Sequence, residues 1–217
     1  MSEGWQKYWG DEANLDRWKR PQAEVLAFIE TLDPAEKPAV LDLGCGIGRH
    51  AIAFAEAGFD VTATDASEKA IERLCEWCKA RELKVKSRVC DVFECGFDAE
   101  SFDVVLAWNV IYHNYRERFT AAIDHVRRLL EPGGLFLFTC PARDDGKYGY
   151  GEEIAPHTFR TTKSINPGEI HYFCDEADLD EMLARFEIVS RDKQEHWWER
   201  EGQRQFHSYW VVIARRP

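Results

Sequence analysis

The run Asp42-Leu43-Gly44-Cys45-Gly46-Ile47-Gly48 sets a carboxylate beside three glycines, between an apolar stretch and a helical one. Glycines let a backbone turn tightly and come close to a ligand. A helix starting just behind them offers free N–H groups. Dinucleotide-binding dehydrogenases use the same device with the spacing G-x-G-x-x-G. Here the third glycine comes one residue early, and Arg49 stands where that pattern wants glycine. The Asp42 carboxylate also suits a ligand ammonium better than a pyrophosphate. Asp65 lies 21 residues after Gly44, where an acid accepts hydrogen bonds from both ribose hydroxyls. At Asp91-Val92, a carboxylate can take an adenine amino group and a backbone N–H a ring nitrogen. Ammonium, ribose and adenine are the polar parts of S-adenosylmethionine (SAM). This reading places Asp42, Gly44, Cys45, Gly46, Gly48, Asp65, Ala66, Asp91, Val92 and Trp108 at a SAM site, with S-adenosylhomocysteine as product. Each acid has a plain structural alternative: Asp42 as a cap of the turn, Asp65 and Asp91 as helix caps.

Methyl transfer from a sulfonium is an in-line displacement. The protein must align nucleophile, methyl and sulfur and keep water out, and alignment can contribute roughly 7–11 kcal/mol of the barrier. A sulfonium is well placed near aromatic faces. Thiolates, halides and reduced metalloids need no strong base, whereas an alcohol or phenol does. The segment Trp108-Asn-Val-Ile-Tyr-His113 follows an apolar strand, at the end of the sheet where ligand crevices form. His113 is the candidate substrate contact or base; its alternative is a hydrogen-bonded structural histidine. Tyr112 lines the pocket or simply packs. Trp9, His50 and His171 are placed on the substrate side. Trp5, Tyr8 and Trp9 fall at helical spacing, which predicts an amphipathic helix docked on the core. Such a helix can also act as a lid. No metal is expected. Cys75 and Cys78 share a helix face without a second pair, and His196 and His207 are only two ligands. No G-x-S-x-G, Walker A or H-E-x-x-H sequence is present.

The elements that carry these residues alternate. Ala39–Leu43, Asp60–Thr64, Lys86–Cys90, Phe102–Trp108 and Leu135–Cys140 read as strands. Gly48–Gly58, Ser67–Glu82 and Arg116–Leu130 read as the helices between them, the last ended by Glu131-Pro-Gly-Gly134. A short helix over Glu176–Arg185 precedes strand-like runs at Phe186–Trp197 and Gln205–Arg215, which read as an antiparallel hairpin on the sheet edge. The fold class is α/β: a doubly wound, seven-stranded, mostly parallel sheet with an antiparallel C-terminal hairpin. Residues 1–217 are read as a single domain, with 1–32 a helical cover and 141–174 a long substrate-side insert.

Composition bounds the function. The chain has 217 residues, 45% apolar and 31% charged, with a formal charge of −11. That negative field disfavours nucleic acid as a partner. No stretch approaches a membrane span, and residues 1–20 do not read as a signal peptide. Seven irregularly spaced cysteines fit reduced thiols in a cytoplasm better than a disulfide framework. Oligomeric state is left open.

Val40–Gly48, Asp65, Asp91 and Glu131-Pro-Gly-Gly134 together resemble the successive motifs of class I SAM-dependent methyltransferases. The terminal hairpin is also similar to theirs. The resemblance covers about residues 38–140 well and implies a Rossmann-like fold, with the 108–113 segment flanking the methyl group. Gly48-Arg-His50, Val110-Ile-Tyr-His113 and His171–Leu179 more loosely resemble small bacterial enzymes of the tellurite-resistance type. The expected activity is methyl transfer to a small molecule, whether through a thiol, metalloid, N or O atom. The alternatives are an NAD-type oxidoreductase, a methyltransferase for protein or RNA, and a non-catalytic SAM-binding protein.

Overall fold

The computed structural model describes residues 2–12, 15–162, 168–200 and 203–217. Residues 163–167 of the long insert and 201–202 of the hairpin tip lie outside the described residues. Strands β1 (Ala39–Leu43), β2 (Asp60–Asp65), β3 (Val85–Val89), β4 (Phe102–Ala107) and β5 (Leu130–Pro141) pair parallel with one another in one sheet. Three short strands follow: β6 (Gly151–Ala155), β7 (Thr158–Thr161) and β8 (Ile170–Tyr172). The long strands β9 (Glu187–Arg200) and β10 (Gln203–Arg215) then form the expected antiparallel hairpin, with β10 against β5. The main sheet has seven strands in the order β3-β2-β1-β4-β5-β10-β9. The order reverses between β1 and β4, so a crevice opens beyond their carboxyl ends.

Helices cover both faces. On one side, α2 (Ala23–Glu30), α3 (Arg49–Glu56) and α4 (Glu68–Ala80) bury Val25, Phe28, Ile52, Phe54, Ile71 and Leu74 against the sheet. On the other, α5 (Arg116–Leu129) and α6 (Glu176–Met182) bury Phe119, Ile123, Val126 and Leu179. β4 is the most enclosed strand, and its residues from Val104 to Ala107 are fully buried. This fits its unbroken apolar run, since parallel strands are covered on both faces. The caps are local: Ser67 Oγ accepts from Ala70 N–H, and Asp175 with Asp178 makes a capping box at α6.

The Glu131-Pro-Gly-Gly134 run follows the end of α5 as expected, but it lies inside β5 as a bulge. Leu130 pairs with Phe102 while Leu135 already pairs with Val104. Gly133 takes a left-handed φ of +77°, and its N–H donates to the Arg216 carbonyl at 2.9 Å. The described part of the insert is likewise more than a loop. β6, β7 and β8 form a small antiparallel sheet, with a tight turn at Pro156-His157. The first 30 residues hold α1 (Ser2–Gly10), a 3-10 turn at Asp16–Trp18 and α2.

Candidate active site

The loop from β1 to α3 is held by backbone bonds to β2. Gly44 and Cys45 N–H both donate to the Thr64 carbonyl, at 2.7 and 2.8 Å. Asp65, one residue on, accepts from Gly46 N–H through Oδ2 and from Ser67 N–H through Oδ1, each at 2.8 Å. One carboxylate thus joins the glycine loop to the start of α4. Burial raises its pKa, and these two bonds oppose the rise. Gly44 and Gly46 are bare where other parts press in. A Cβ on Gly44 would lie 2.3 Å from Val110 Cγ2, and one on Gly46 would lie 2.9 Å from the Trp9 ring. Gly48 caps α3 in the left-handed region, at φ +87°.

Two cavities meet at this loop. One, of about 470 Å³, is lined by Gly44, Asp65, Ala66, Asp91 and Val92. The other, of about 440 Å³, runs from Gly44, Cys45 and Gly46 past His50 and Trp108 to Tyr112, His113 and His171. Trp5, Trp9, Asn109 and His113 border both. The residues expected to share a ligand therefore fall around one continuous opening, with two exceptions. Gly48 lines neither cavity. Nor does Asp42: it is 1% exposed, and its Oδ2 accepts from Ala51 N–H at 3.0 Å, bracing the first turn of α3. Burial pushes its carboxyl up to about 7.

Helix α1 covers the opening. Trp9 is buried and stacks on Trp5 with ring centres 5.8 Å apart. Gln6 fastens the helix by accepting from Ser67 Oγ and Lys69 N–H, both at 3.1 Å. Beneath it Arg49 lies 4.9 Å from the Trp18 ring centre, and burial lowers its pKa to about 10. His50 Nε2 accepts from Gln22 N–H at 3.3 Å, and burial holds its pKa well below the usual histidine range.

The far wall of the second cavity is built by β8. Tyr172 N–H donates to the Tyr112 carbonyl at 3.0 Å, which fixes His171 beside His113 with ring centres 4.6 Å apart. Asn109 leaves β4 at φ +58°, a conformation uncommon outside glycine. Thr139 on β5 steadies it, accepting from Asn109 N–H at 2.9 Å and donating to Asn109 Oδ1 at 3.0 Å. The carbonyl so positioned lies 3.0 Å from His113 Nε2. His113 Nδ1 faces Glu169 Oε2 at 3.4 Å, and His171 Nε2 faces the same oxygen at 3.3 Å. Burial lowers His113 to about 4 and His171 to about 3, so both rings are neutral at pH 7.

Glu169 and Lys147, and His196 and His207 from the hairpin, also line this cavity and were not expected there. The sequence held a signal for Glu169: residues two apart on extended chain share a face, and His171 was already a candidate. His207 Nε2 lies 3.6 Å from Asp145 Oδ2, and burial lowers its pKa to about 3.

One expectation is corrected. Cys90 and Cys95 form a disulfide, with Cα atoms 5.2 Å apart. The turn between them, closed by Glu94 N–H on the Asp91 carbonyl at 3.0 Å, brings them together next to the Asp91-Val92 wall. Cys45, Cys75, Cys78, Cys140 and Cys174 are free thiols. Among the described residues no helix is long and apolar enough to cross a membrane.

Comparison with known proteins gives a consistent picture. Residues 40–134 match the family described as "Methyltransferase domain". The chain is 28% identical over 154 residues to a ubiquinone biosynthesis O-methyltransferase of Rickettsia akari, covering 66% of this chain and 59% of that protein. It is 34% identical over 122 residues to a cypemycin N-terminal methyltransferase of Streptomyces, covering 55% and 49%. It is 29% identical over 122 residues to the probable S-adenosyl-L-methionine-dependent methyltransferase TehB of Haemophilus influenzae, covering 56% and 41%. The chain thus spans about two fifths to three fifths of the length of these relatives. The crystal structure of TehB superimposes with a TM-score of 0.69 at 20% identity, covering 91% of this chain and 63% of TehB.

Proposed function

We propose that this chain, which carries a class I SAM-dependent methyltransferase domain on a Rossmann-like fold, moves the methyl group of SAM to a small-molecule acceptor. The observation that carries the reading is the pair of cavities meeting at Gly44 beneath Trp5 and Trp9. SAM fits the first by the chemistry of its donors. Asp65 and Asp91 stand at successive strand ends, as ribose and adenine require, and the bare backbone at Gly44 and Gly46 lets a ligand come close. Ala66 and Val92 would flank the adenosine, while Cys45 and Trp108 would border the methionine part. Asp42 serves this site by bracing α3, whose first turn follows the loop. When bound, SAM supplies an electrophilic methyl group on a cationic sulfur.

The chain's own residues do the rest. The stacked Trp5 and Trp9 keep water from the opening and offer aromatic faces to a cation. His50, Tyr112, His113 and His171 orient the acceptor in the second cavity. Its volume suits a small molecule, and with Arg17, Arg49 and Lys147 on its lining it favours an acceptor bearing negative charge. Residues 1–32 act as the cover and 141–174 as the acceptor-side insert of a single catalytic unit. Nucleic acid is not part of this reading, given the charge of −11, and a cytoplasmic setting is, on the five free thiols beside the Cys90–Cys95 disulfide.

The test is calorimetric titration with S-adenosylhomocysteine and, separately, NADH. Micromolar binding of the homocysteine compound alone is expected, followed by radiolabelled methyl transfer to members of a panel of thiols, metalloids, amines and phenols. Binding of NADH in its place would overturn the reading. Label entering protein rather than any small acceptor would overturn the acceptor class.

A further inference from the structure

We infer that His113, Glu169 and His171 form a divalent transition-metal site in the wall of the acceptor cavity. Three donor atoms converge there: His113 Nδ1, His171 Nε2 and Glu169 Oε2, all within 4.8 Å of one another. The two nitrogens stand 3.4 and 3.3 Å from the same carboxylate oxygen. Ligands on a four-coordinate zinc, at bond lengths near 2.1 Å, lie about 3.4 Å apart. Two of the three separations are therefore those of ligands on a shared ion, and the third lies within 4.8 Å.

The surroundings favour a metal over a hydrogen-bonded cluster. His113 Nε2 lies 3.0 Å from the Asn109 carbonyl, which can only accept, so the ring proton belongs on Nε2. Nδ1 then carries a bare lone pair. Among the described residues it has no hydrogen-bond partner, the residue is 9% exposed, and the Glu169 carboxylate oxygen stands 3.4 Å away. His171 Nε2 meets the Glu169 oxygen within hydrogen-bond distance, which leaves His113 Nδ1 as the lone pair beside that carboxylate, and a cation held by all three turns this repulsion into coordination. A backbone carbonyl holding the far nitrogen of a ligating histidine is the usual outer support of such sites. Asn109 is itself held by Thr139 in a left-handed conformation, so that support is rigid.

Two imidazoles and one carboxylate suit zinc, cobalt, nickel or iron(II) rather than magnesium or calcium. Three protein ligands with the next position opening on a cavity is the plan of a catalytic site rather than a structural one. The open position takes water or the heteroatom of an acceptor. A thiol or hydroxyl binding there would give up its proton to solvent and ligate as the anion, which supplies a nucleophile at neutral pH. The site stands on the side chains alone, and only this use against an acceptor rests on the methyltransferase reading. Sequence spacing offered no hint, since His113 is 56 residues before Glu169.

The experiment is titration of the chelator-stripped full chain with Co²⁺, followed by visible absorption, and with Zn²⁺, followed by calorimetry. One ion per chain is expected, with the visible bands of a low-coordinate cobalt ion. Glu169→Gln and His171→Ala should each weaken binding by at least about a hundredfold, beyond the loss typical of outer-shell residues. A His196→Ala/His207→Ala double variant should bind as the wild type does. S-adenosylhomocysteine titrated into each variant reports its fold and its cofactor site. Binding lost in the double variant but kept in Glu169→Gln would overturn the assignment, as would no uptake of either ion by a chain that binds S-adenosylhomocysteine. Ion uptake by a chain that binds no S-adenosylhomocysteine would keep the metal site and sink the methyltransferase reading instead.

Discussion

Replacing Asp65 with Asn keeps the shape of the side chain and removes its charge and one acceptor. The carboxylate now takes two backbone N–H groups, from Gly46 and Ser67, each at 2.8 Å. An amide oxygen can keep one of them, and the amide nitrogen is then turned against the other. A hydrogen bond to a charged group contributes about 1.5–3 kcal/mol. Asp65→Asn should therefore lower the stability of the unliganded chain by about that amount, since one such bond is lost. The proposed ribose contact adds a separate loss that appears only on binding. If a hydroxyl bond of the same class is weakened, the Kd for S-adenosylhomocysteine rises about 10- to 150-fold. Calorimetric titration gives the Kd, and urea unfolding of the unliganded chain gives the stability loss. A variant that loses stability yet binds within about twofold of wild type would show that Asp65 only ties two loops together. That result would remove it from the cofactor site.

Gly48→Ala adds a Cβ 2.2 Å from Leu74 Cδ1 at a residue with φ +87°. Left-handed strain and overpacking together should cost about 2–4 kcal/mol, seen as a Tm lower by roughly 5–15 °C; an unchanged Tm would mean α3 can shift freely. Asp42 has a folded pKa of about 7 against an ordinary 3.8, so its contribution to stability is fully present below pH 3.8 and is lost as pH rises through 7. Denaturant unfolding from about pH 4 to 8 should show the wild type losing up to about 4 kcal/mol relative to Asp42→Asn. Parallel pH curves for the two proteins would contradict the buried, raised carboxyl. Trp9→Ala removes a ring that is 6% exposed and lies over Gly46. It should weaken S-adenosylhomocysteine at least about tenfold, by roughly the 1.4 kcal/mol of a partly lost aromatic contact, while intrinsic fluorescence of the remaining tryptophans reports whether α1 stays docked.

The glycine loop was readable because its parts are contiguous: strand, turn and helix start lie within Ala39–Glu56, and backbone rules act over that distance. Asp42 shows where such reading stops. Its place beside the glycines suggested a ligand partner, yet side chains along a strand alternate faces. Leu41 and Leu43 join the cluster under α5, while Val40 joins the one under α3. Asp42 shares the face of Val40, so its carboxylate meets α3 rather than the opening. The alternation was legible in the sequence; which helix lies on which face depends on the crossover that follows β1, a property of the whole sheet. The disulfide escaped for the opposite reason. Cysteine count and spacing describe the chain as a whole, whereas the turn at Asp91–Cys95 is set by local hydrogen bonds from Glu94 and Phe93 N–H to Asp91.

The acceptor wall depends on tertiary pairing that no periodicity announces. β8 is three residues long, and the other two strands of its sheet, β7 and β6, have four and five residues. Strands this short carry too few alternating positions to stand out from loop. What docks them on the loop after β4 is the bond from Tyr172 N–H to the Tyr112 carbonyl, with the Ala142–Cys174 bridge just beyond β8. That bond sets Glu169 and His171 against His113, and Asn109 then orients the His113 ring. The main sheet can thus stay as its α/β pattern requires while the chemistry of the acceptor side is decided by how one insert docks on one loop. Changing the register of β8 by a single residue would turn His171 to the other face of the strand and separate the three donor atoms. The proposed cofactor wall, with Gly44, Asp65 and Asp91, would be left as it is.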